Sequence, residues 1–260
     1  MKRSGFFPRI APLILLLVAV PMLMGQARPR LVPAVDQEQI EIIYSFTGAE
    51  LMVYGAILYP GGQVPEDPVD IVVVLKGPEQ SILVREKQQR MGIWMNAAQA
   101  RFRSAPAFYA LASARPIDDI VDERTAAIYE LGIDSLQLSP ASANPPEEAA
   151  RFDEGLVDLR ARNGLYVEQV EAVEITEGVL YNARISIPAR VPVGDYTAET
   201  FLIQDGRVLA GEVREIRIDK SGFERFVATA AAENGFLYGL AAVLVSLILG
   251  WIAGLIFRRL

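Results

Sequence analysis

The sequence predicts a mainly β protein with a helical insert: one or two immunoglobulin-like β-sandwich units plus a single C-terminal transmembrane helix. Three observations carry this. Short apolar runs rich in β-branched residues recur between turn residues over 37–115 and again over 165–220. Between them the apolar spacing switches to a helical period. Near the end, Phe236 to Phe257 is an uncharged stretch of 22 residues, which as a helix measures roughly 33 Å, enough to cross the hydrocarbon core.

In the first stretch, Ile40–Tyr44 and Glu50–Leu58 read as strands, and Pro60-Gly61-Gly62 turns the chain. Ile71–Leu75 is an unbroken apolar, β-branched run, the pattern of a buried strand. Gly77-Pro78 turns again; Ser81–Arg85, Ile93–Met95 and Phe108–Ala112 add three strands. Trp94, in Gly92-Ile93-Trp94-Met95-Asn96, is expected in a sandwich core, with a binding surface as the alternative.

In the helical stretch, Ile117, Ile120, Val121, Ile128 and Leu131 fall on one face, and Gly132 stops the helix. Asp118 and Asp119 stand where an N-cap and a first-turn acid belong. Pro140–Pro146 is a loop. A second helix is expected over Glu147–Asn163, with Phe152, Leu156 and Leu159 inward and Gly164 closing it. The third stretch holds a hairpin, Thr197–Gln204 and Arg207–Ile218 around Asp205-Gly206, a pair suited to a two-residue primed turn. Just before it, Pro192-Val193-Gly194-Asp195-Tyr196 has the form of a tyrosine corner, in which the hydroxyl bonds a nearby backbone group. Pro106-Ala107-Phe108-Tyr109 is a weaker match.

The expected organisation is a signal peptide over 1–27, a first β-sandwich unit over 28–115 and a helical bridge over 116–164. A second β-sandwich unit over 165–220, a juxtamembrane stem over 221–235, the transmembrane helix over 236–257 and a cytoplasmic tail over 258–260 follow. One composite sandwich is the rival arrangement for the two β stretches. Lys2, Arg3 and Arg9, the apolar run Ile10–Met24 and the small residues Gly25 and Ala27 have the layout of a secretory signal. Arg258 and Arg259 close the apolar tail and favour the cytoplasmic side. Both ends predict the same topology: a bacterial inner-membrane protein, single-pass, with its body in the periplasm and its C-terminus in the cytoplasm. In the stem, Phe223, Phe226, Val227 and Ala230 share a helical face.

Ala242, Ser246, Gly250 and Gly254 recur every fourth residue and form one stripe of small side chains on the membrane helix. Such stripes let helices approach closely in lipid, so the expected partners are the bilayer and another membrane protein or a second copy.

Composition narrows the chemistry. There is no cysteine and no histidine, which removes thiol mechanisms, disulfides, the commonest general base and the commonest transition-metal ligand. Of 25 basic residues five lie in the two end segments, leaving 20 against 32 acidic ones in the body, a net of −12. Such a body repels nucleic acid. No cofactor or metal motif occurs: Walker and Gly-x-Gly-x-x-Gly sequences are missing, as is the Gly-x-Ser-x-Gly elbow. What remains for an enzyme is a serine–lysine pair, Ser81 with Lys87, or carboxylates drawn from Asp118, Asp122, Glu168 and Glu171. Glu168, Glu171, Glu174 and Glu177, three apart, read as a solvated edge.

The strings Gly92-Ile93-Trp94-Met95-Asn96, Ser104-Ala105-Pro106-Ala107-Phe108-Tyr109 and Pro192-Val193-Gly194-Asp195-Tyr196, within a signal-plus-anchor layout, resemble the alphaproteobacterial conserved transmembrane proteins. The resemblance covers nearly the full length and brings no catalytic residues with it. It implies a gene neighbourhood shared with a sulfite-exporter-like permease, and hence a helper of a membrane transporter. The expected function is therefore a non-enzymatic accessory or binding subunit. A carboxylate- or Ser/Lys-based periplasmic hydrolase and a homo-oligomeric envelope protein are the alternatives.

Overall fold

The structure is a computed structural model that describes residues 28–42, 48–141, 144–220, 227 and 230–257. The signal segment 1–27 and the tail 258–260 lie outside the described residues, as do Tyr44 and much of the stem, including Phe223 and Phe226. The described strands are β1 (Arg30–Val35), β2 (Gln39–Ile42), β3 (Ala49–Leu58), β4 (Asp70–Lys76), β5 (Glu79–Arg90), β6 (Ile93–Pro106) and β7 (Tyr109–Ser113). They continue as β8 (Ser139–Pro140), β9 (Tyr166–Val170), β10 (Val173–Thr176), β11 (Leu180–Ile187), β12 (Gly194–Gln204) and β13 (Arg207–Lys220). The α-helices are α1 (Glu123–Tyr129), α2 (Pro146–Arg162) and α3 (Gly235–Phe257).

These strands form a four-stranded sheet, β1-β3-β11-β10, a six-stranded sheet, β2-β13-β12-β4-β7-β9, and a three-stranded sheet, β5-β6-β8. The first two pack face to face around one apolar core that includes Leu51, Val53, Ile185, Val73, Leu75 and Leu202. Each of these sheets takes strands from both 28–115 and 165–220, as where β3 pairs with β11 and β4 with β12. The arrangement is thus the composite sandwich, not two separate units: strands distant in sequence pair, because neither stretch alone supplies two complete apolar faces.

Ile71, Val72, Val73, Val74 and Leu75 of β4 are all 0% exposed, so both faces of the strand are covered. In register, Val72 aligns with Phe201 and Ser113, Val74 with Glu199 and Leu111, and Lys76 with Tyr109. This face lies beneath the segment 117–136: Phe201 meets Tyr129 of α1 edge to face at 5.5 Å. The Tyr109 hydroxyl also reaches the backbone beyond that helix. Ile71, Val73 and Leu75 face the other sheet.

Between β4 and β7 the chain leaves the sandwich as a long hairpin, β5–β6. Its turn is Met91-Gly92, both at positive φ (52° and 80°), and Arg90 pairs directly with Ile93, a two-residue primed turn. The inner half of the hairpin has its own small core, where Phe152 and Leu156 of α2 pack on Ala100, Phe102 and Ala105. α2 contributes only these two side chains to the core; Leu159, expected inward, is exposed. α2 ends as predicted: Gly164 (φ 66°) and Leu165 return their N–H groups to the Ala161 and Arg160 carbonyls.

The predicted helix over 117–131 is broken. Ile117–Asp119 is a 3₁₀ turn, and α1 is only seven residues long, capped by Asp122, whose carboxylate accepts from the Thr125 N–H at 2.8 Å. That bond, with help from the Arg124 charge, holds the Asp122 carboxyl below its usual range. The break resets the helical phase, so Ile120, Val121 and Leu131 are buried while Ile128 faces solvent.

Asp205-Gly206 forms the expected primed turn, with φ of 49° and 74° and Gln204 opposite Arg207. Tyr196 is fully buried and donates to the Pro192 carbonyl at 2.7 Å, the predicted corner. Tyr109 is not a corner. Its hydroxyl donates to the Glu130 carbonyl at 2.8 Å and accepts from the buried Gly132 N–H at 2.9 Å. Tyr109→Phe leaves that buried N–H without a partner and is expected to cost about 2–3 kcal/mol, against about 1 kcal/mol for Tyr196→Phe. Urea unfolding of the two detergent-solubilised variants checks the order; equal losses would refute the two-bond role of Tyr109.

Candidate functional site

The segment 117–136 covers the outer face of the six-stranded sheet, and a cleft of about 380 Å³ opens where that cover ends. Lys76 closes the apolar run of β4 and projects from the covered face. Its ammonium meets Glu130 Oε2 at 2.7 Å and Glu199 Oε2 at 3.2 Å. Glu199 comes from β12, the neighbouring strand. Glu130 caps α1 in a left-handed conformation (φ 53°) that costs a non-glycine residue about 1 kcal/mol. Three contacts hold it there: Lys76, the Tyr109 hydroxyl on its carbonyl, and the Gln137 N–H on its other carboxylate oxygen at 3.2 Å.

Burial pulls the Lys76 pKa down, but the Glu130 hydrogen bond and the charges of Glu199 and Glu130 outweigh it, and the net shift is upward. Lys76 is therefore an ammonium and not a proton acceptor at neutral pH. Glu79 and Asp195 also line the cleft, and Ser104 donates to Glu79. Four carboxylates against one ammonium make a lining that suits cations and hydrogen-bond donors and repels anions.

A second cavity, about 270 Å³, is lined by Asp118, Glu123, Asp134, Glu168 and the buried Ser113. It brings together two of the four carboxylates named from the sequence, Asp118 and Glu168. Asp122 is occupied as the cap of α1, and Glu171 sits at a turn with φ of 63°. Glu168 is already engaged, accepting from the Ile133 N–H at 2.5 Å. Among the described residues no group of three or more acidic side chains is placed to hold a metal ion. Ser81 and Lys87 lie six residues apart on the extended strand β5, a separation of roughly 20 Å, and the Ser81 hydroxyl is bonded to the Phe102 carbonyl.

Of the three aromatic residues singled out, Tyr109 and Tyr196 are core residues, and Trp94 is not. Trp94 is 66% exposed near the end of the β5–β6 hairpin, past the reach of α2. The core expectation failed because the Met91-Gly92 turn places Trp94 two residues from a free tip. Lys76, Glu130 and Glu199 were not singled out from the sequence. The one signal was a charge closing the all-apolar run Ile71–Leu75.

Among the described residues one helix, α3, is long and apolar enough to cross a membrane. Ala242, Ser246, Gly250 and Gly254 lie on one side of it, and nothing approaches a Cβ position built at either glycine. The Ser246 hydroxyl donates back to the Ala242 carbonyl at 2.8 Å, so the stripe offers shape rather than free polar groups. A β-rich body followed by such a helix defines a membrane-anchored protein. A family model described as "Putative transmembrane protein (Alph_Pro_TM)" matches residues 30–259, and the chain belongs to this family. No curated protein and no solved structure matches it.

Lys76 binds its proton more tightly folded than unfolded. Its pairing therefore contributes fully below the unfolded lysine pKa and is lost as pH rises through the higher folded value. Lys76→Met is expected to cost about 1–2 kcal/mol at pH 8. The gap from wild type should begin to narrow above pH ~10.5 and close only beyond the higher folded pKa. Urea midpoints measured from pH 8 to the alkaline limit test this; a gap unchanged across the range would contradict the ion-pair role.

Proposed function

We propose that this protein is a non-enzymatic accessory subunit, with its body in the periplasm and α3 docked on a multi-spanning protein of the bacterial inner membrane. The observation that carries the reading is the uncovered stripe Ala242, Ser246, Gly250 and Gly254. In lipid there is no hydrophobic drive for helix association, and close backbone approach along small residues takes its place. With Ser246 bonded within its own helix, the contact rests on van der Waals packing. The family resemblance favours a sulfite-exporter-like permease as the partner.

Two features support binding over catalysis. Lys76 is held protonated by two carboxylates, and the serine–lysine pair considered from the sequence is separated along one strand. The cleft around Lys76 carries an excess of negative charge, which suits neither sulfite nor a similar anion. The helper role therefore rests on the anchor and not on capture of an anionic substrate by this cleft.

Cross-linking in native membranes, then mild-detergent purification and mass spectrometry, tests the reading. A multi-spanning partner is expected in stoichiometric amount with the wild type, and Gly250→Leu with Gly254→Leu should lose most of it. Unchanged recovery of the partner would refute docking through the stripe. Recovery of the chain bound only to itself would favour a homo-oligomeric envelope protein.

A further inference from the structure

The β5–β6 hairpin outruns its own support. α2 last grips it through the Arg151–Glu86 ion pair at 3.0 Å and the small core at Ala100 and Phe102. Beyond that, from Lys87 to Ala97, every residue but Gln88 is exposed. The end of this arm is apolar: Met91 is wholly exposed, and Ile93, Trp94 and Met95 are 69%, 66% and 50% exposed. Four large apolar side chains on four of five consecutive positions at a free tip are costly in water.

Their placement discriminates among occupants. Successive residues of a strand point to opposite faces. Ile93 and Met95 thus share one face, Trp94 takes the other, and Met91 occupies the turn. The apolar residues of the turn and of β6 therefore point to both faces of the arm's end, opposite the long polar side chains Arg90, Gln89 and Gln88 of β5. A protein surface or a second copy of the arm would cover one side and leave the other wet. A bilayer interface surrounds the end on all sides.

Charge agrees. Arg90 stands level with Ile93 across the hairpin, Lys87 lies one pair behind Met95 and Arg85 further back, and the one acid among residues 85–97, Glu86, is neutralised by Arg151. This is a local excess of positive charge on a body whose net charge is −12 (20 basic, 32 acidic). An apolar end with a basic collar matches acyl chains beneath anionic headgroups. Two residues of strand span roughly 7 Å, the depth of the headgroup–acyl boundary, so the turn's unpaired backbone groups need not enter the hydrocarbon.

We infer that the Met91–Met95 tip of the β5–β6 hairpin inserts into the interface of an anionic phospholipid bilayer, the one that holds α3. The inference is independent of the docking partner proposed for α3.

The chain has two tryptophans, Trp94 and Trp251. The Trp251→Phe variant therefore makes Trp94 the only tryptophan, excited selectively at the red edge where tyrosine does not absorb, with α3 retained. The full-length variant is reconstituted into vesicles of phosphatidylcholine alone or with one quarter phosphatidylglycerol, with or without bromine on the acyl chains. In the anionic vesicles Trp94 emission is expected to shift to the blue and to be quenched by the brominated chains. Lys87→Gln with Arg90→Gln should reduce the equilibrium constant for insertion about five-fold per charge removed, at an unchanged urea midpoint because both side chains are exposed. Trp94 emission that stays red and unquenched in both compositions would overturn the inference. So would a blue shift that follows protein density and not lipid charge, which would assign the tip to a second copy.

Discussion

The fold depends on covering one strand twice. Five consecutive residues of β4 are inaccessible to water, and a strand rises so that neighbours point opposite ways. One apolar layer cannot bury all five. The four-stranded sheet covers Ile71, Val73 and Leu75, and a separate segment must cover Val72 and Val74. That segment is 117–136, and its position follows from the connection it belongs to. β7 and β9 are adjacent and parallel, and a parallel pair cannot be joined by a tight turn. The crossover passes over the outer face and supplies the second cover. The cleft at Lys76 is where this cover stops and the strand's apolar run ends in a charge.

The same crossover explains why the hairpin is half supported. Past the cover the chain forms α2, which packs beneath the inner half of β5–β6 and gives it a core of its own. Two excursions from the sandwich, one between β4 and β7 and one between β7 and β9, therefore stabilise each other. α2 is 17 residues long, roughly 26 Å, and β5 is 12 residues, roughly 40 Å. The arm is longer than the helix available to bury it, and its residues change accordingly. The alternation of half-buried Ala98 with buried Ala100 and Phe102 gives way to continuous exposure at Ile93–Ala97.

Much of this was legible in the sequence wherever the determinant is local. The run Ile71–Leu75 marked the buried strand, Asp205-Gly206 the primed turn, Pro192–Tyr196 the corner, Gly164 the end of α2 and Phe236–Phe257 the membrane helix. What escaped was non-local or conformationally unusual. Sheet membership is decided by pairing over more than a hundred residues, as where Leu51 meets Ile185, and no window contains that information. The phase of α1 turned on which of several aspartates caps it, and the chain chose Asp122 over Asp118 or Asp119 because a 3₁₀ turn intervenes. Trp94 was misplaced because its neighbour Met91 adopts a left-handed conformation that methionine composition does not advertise. Without that turn, an alternating aromatic strand looks like core. Lys76 was visible as a residue but not as a site, since its partners come from β12 and from the end of α1.

The membrane contacts of α3 and of the hairpin tip differ in kind, and their energies are coupled. α3 offers an uncharged span that enters the bilayer essentially irreversibly. The tip offers four side chains and a few positive charges at an interface, a weak attachment for a freely diffusing protein. Carried on the same chain as α3, the tip never leaves the neighbourhood of the surface, and its binding becomes an intramolecular step with a high effective concentration. A weak tip is then sufficient, and its weakness is useful: insertion stays reversible and responsive to headgroup charge while the anchor holds. An acidic body counteracts the tip, because carboxylates are repelled by the anionic surface that attracts Arg85, Lys87 and Arg90. The net effect is an orienting force, drawing one end of the arm to the membrane while pushing the acidic cleft around Lys76 away from it.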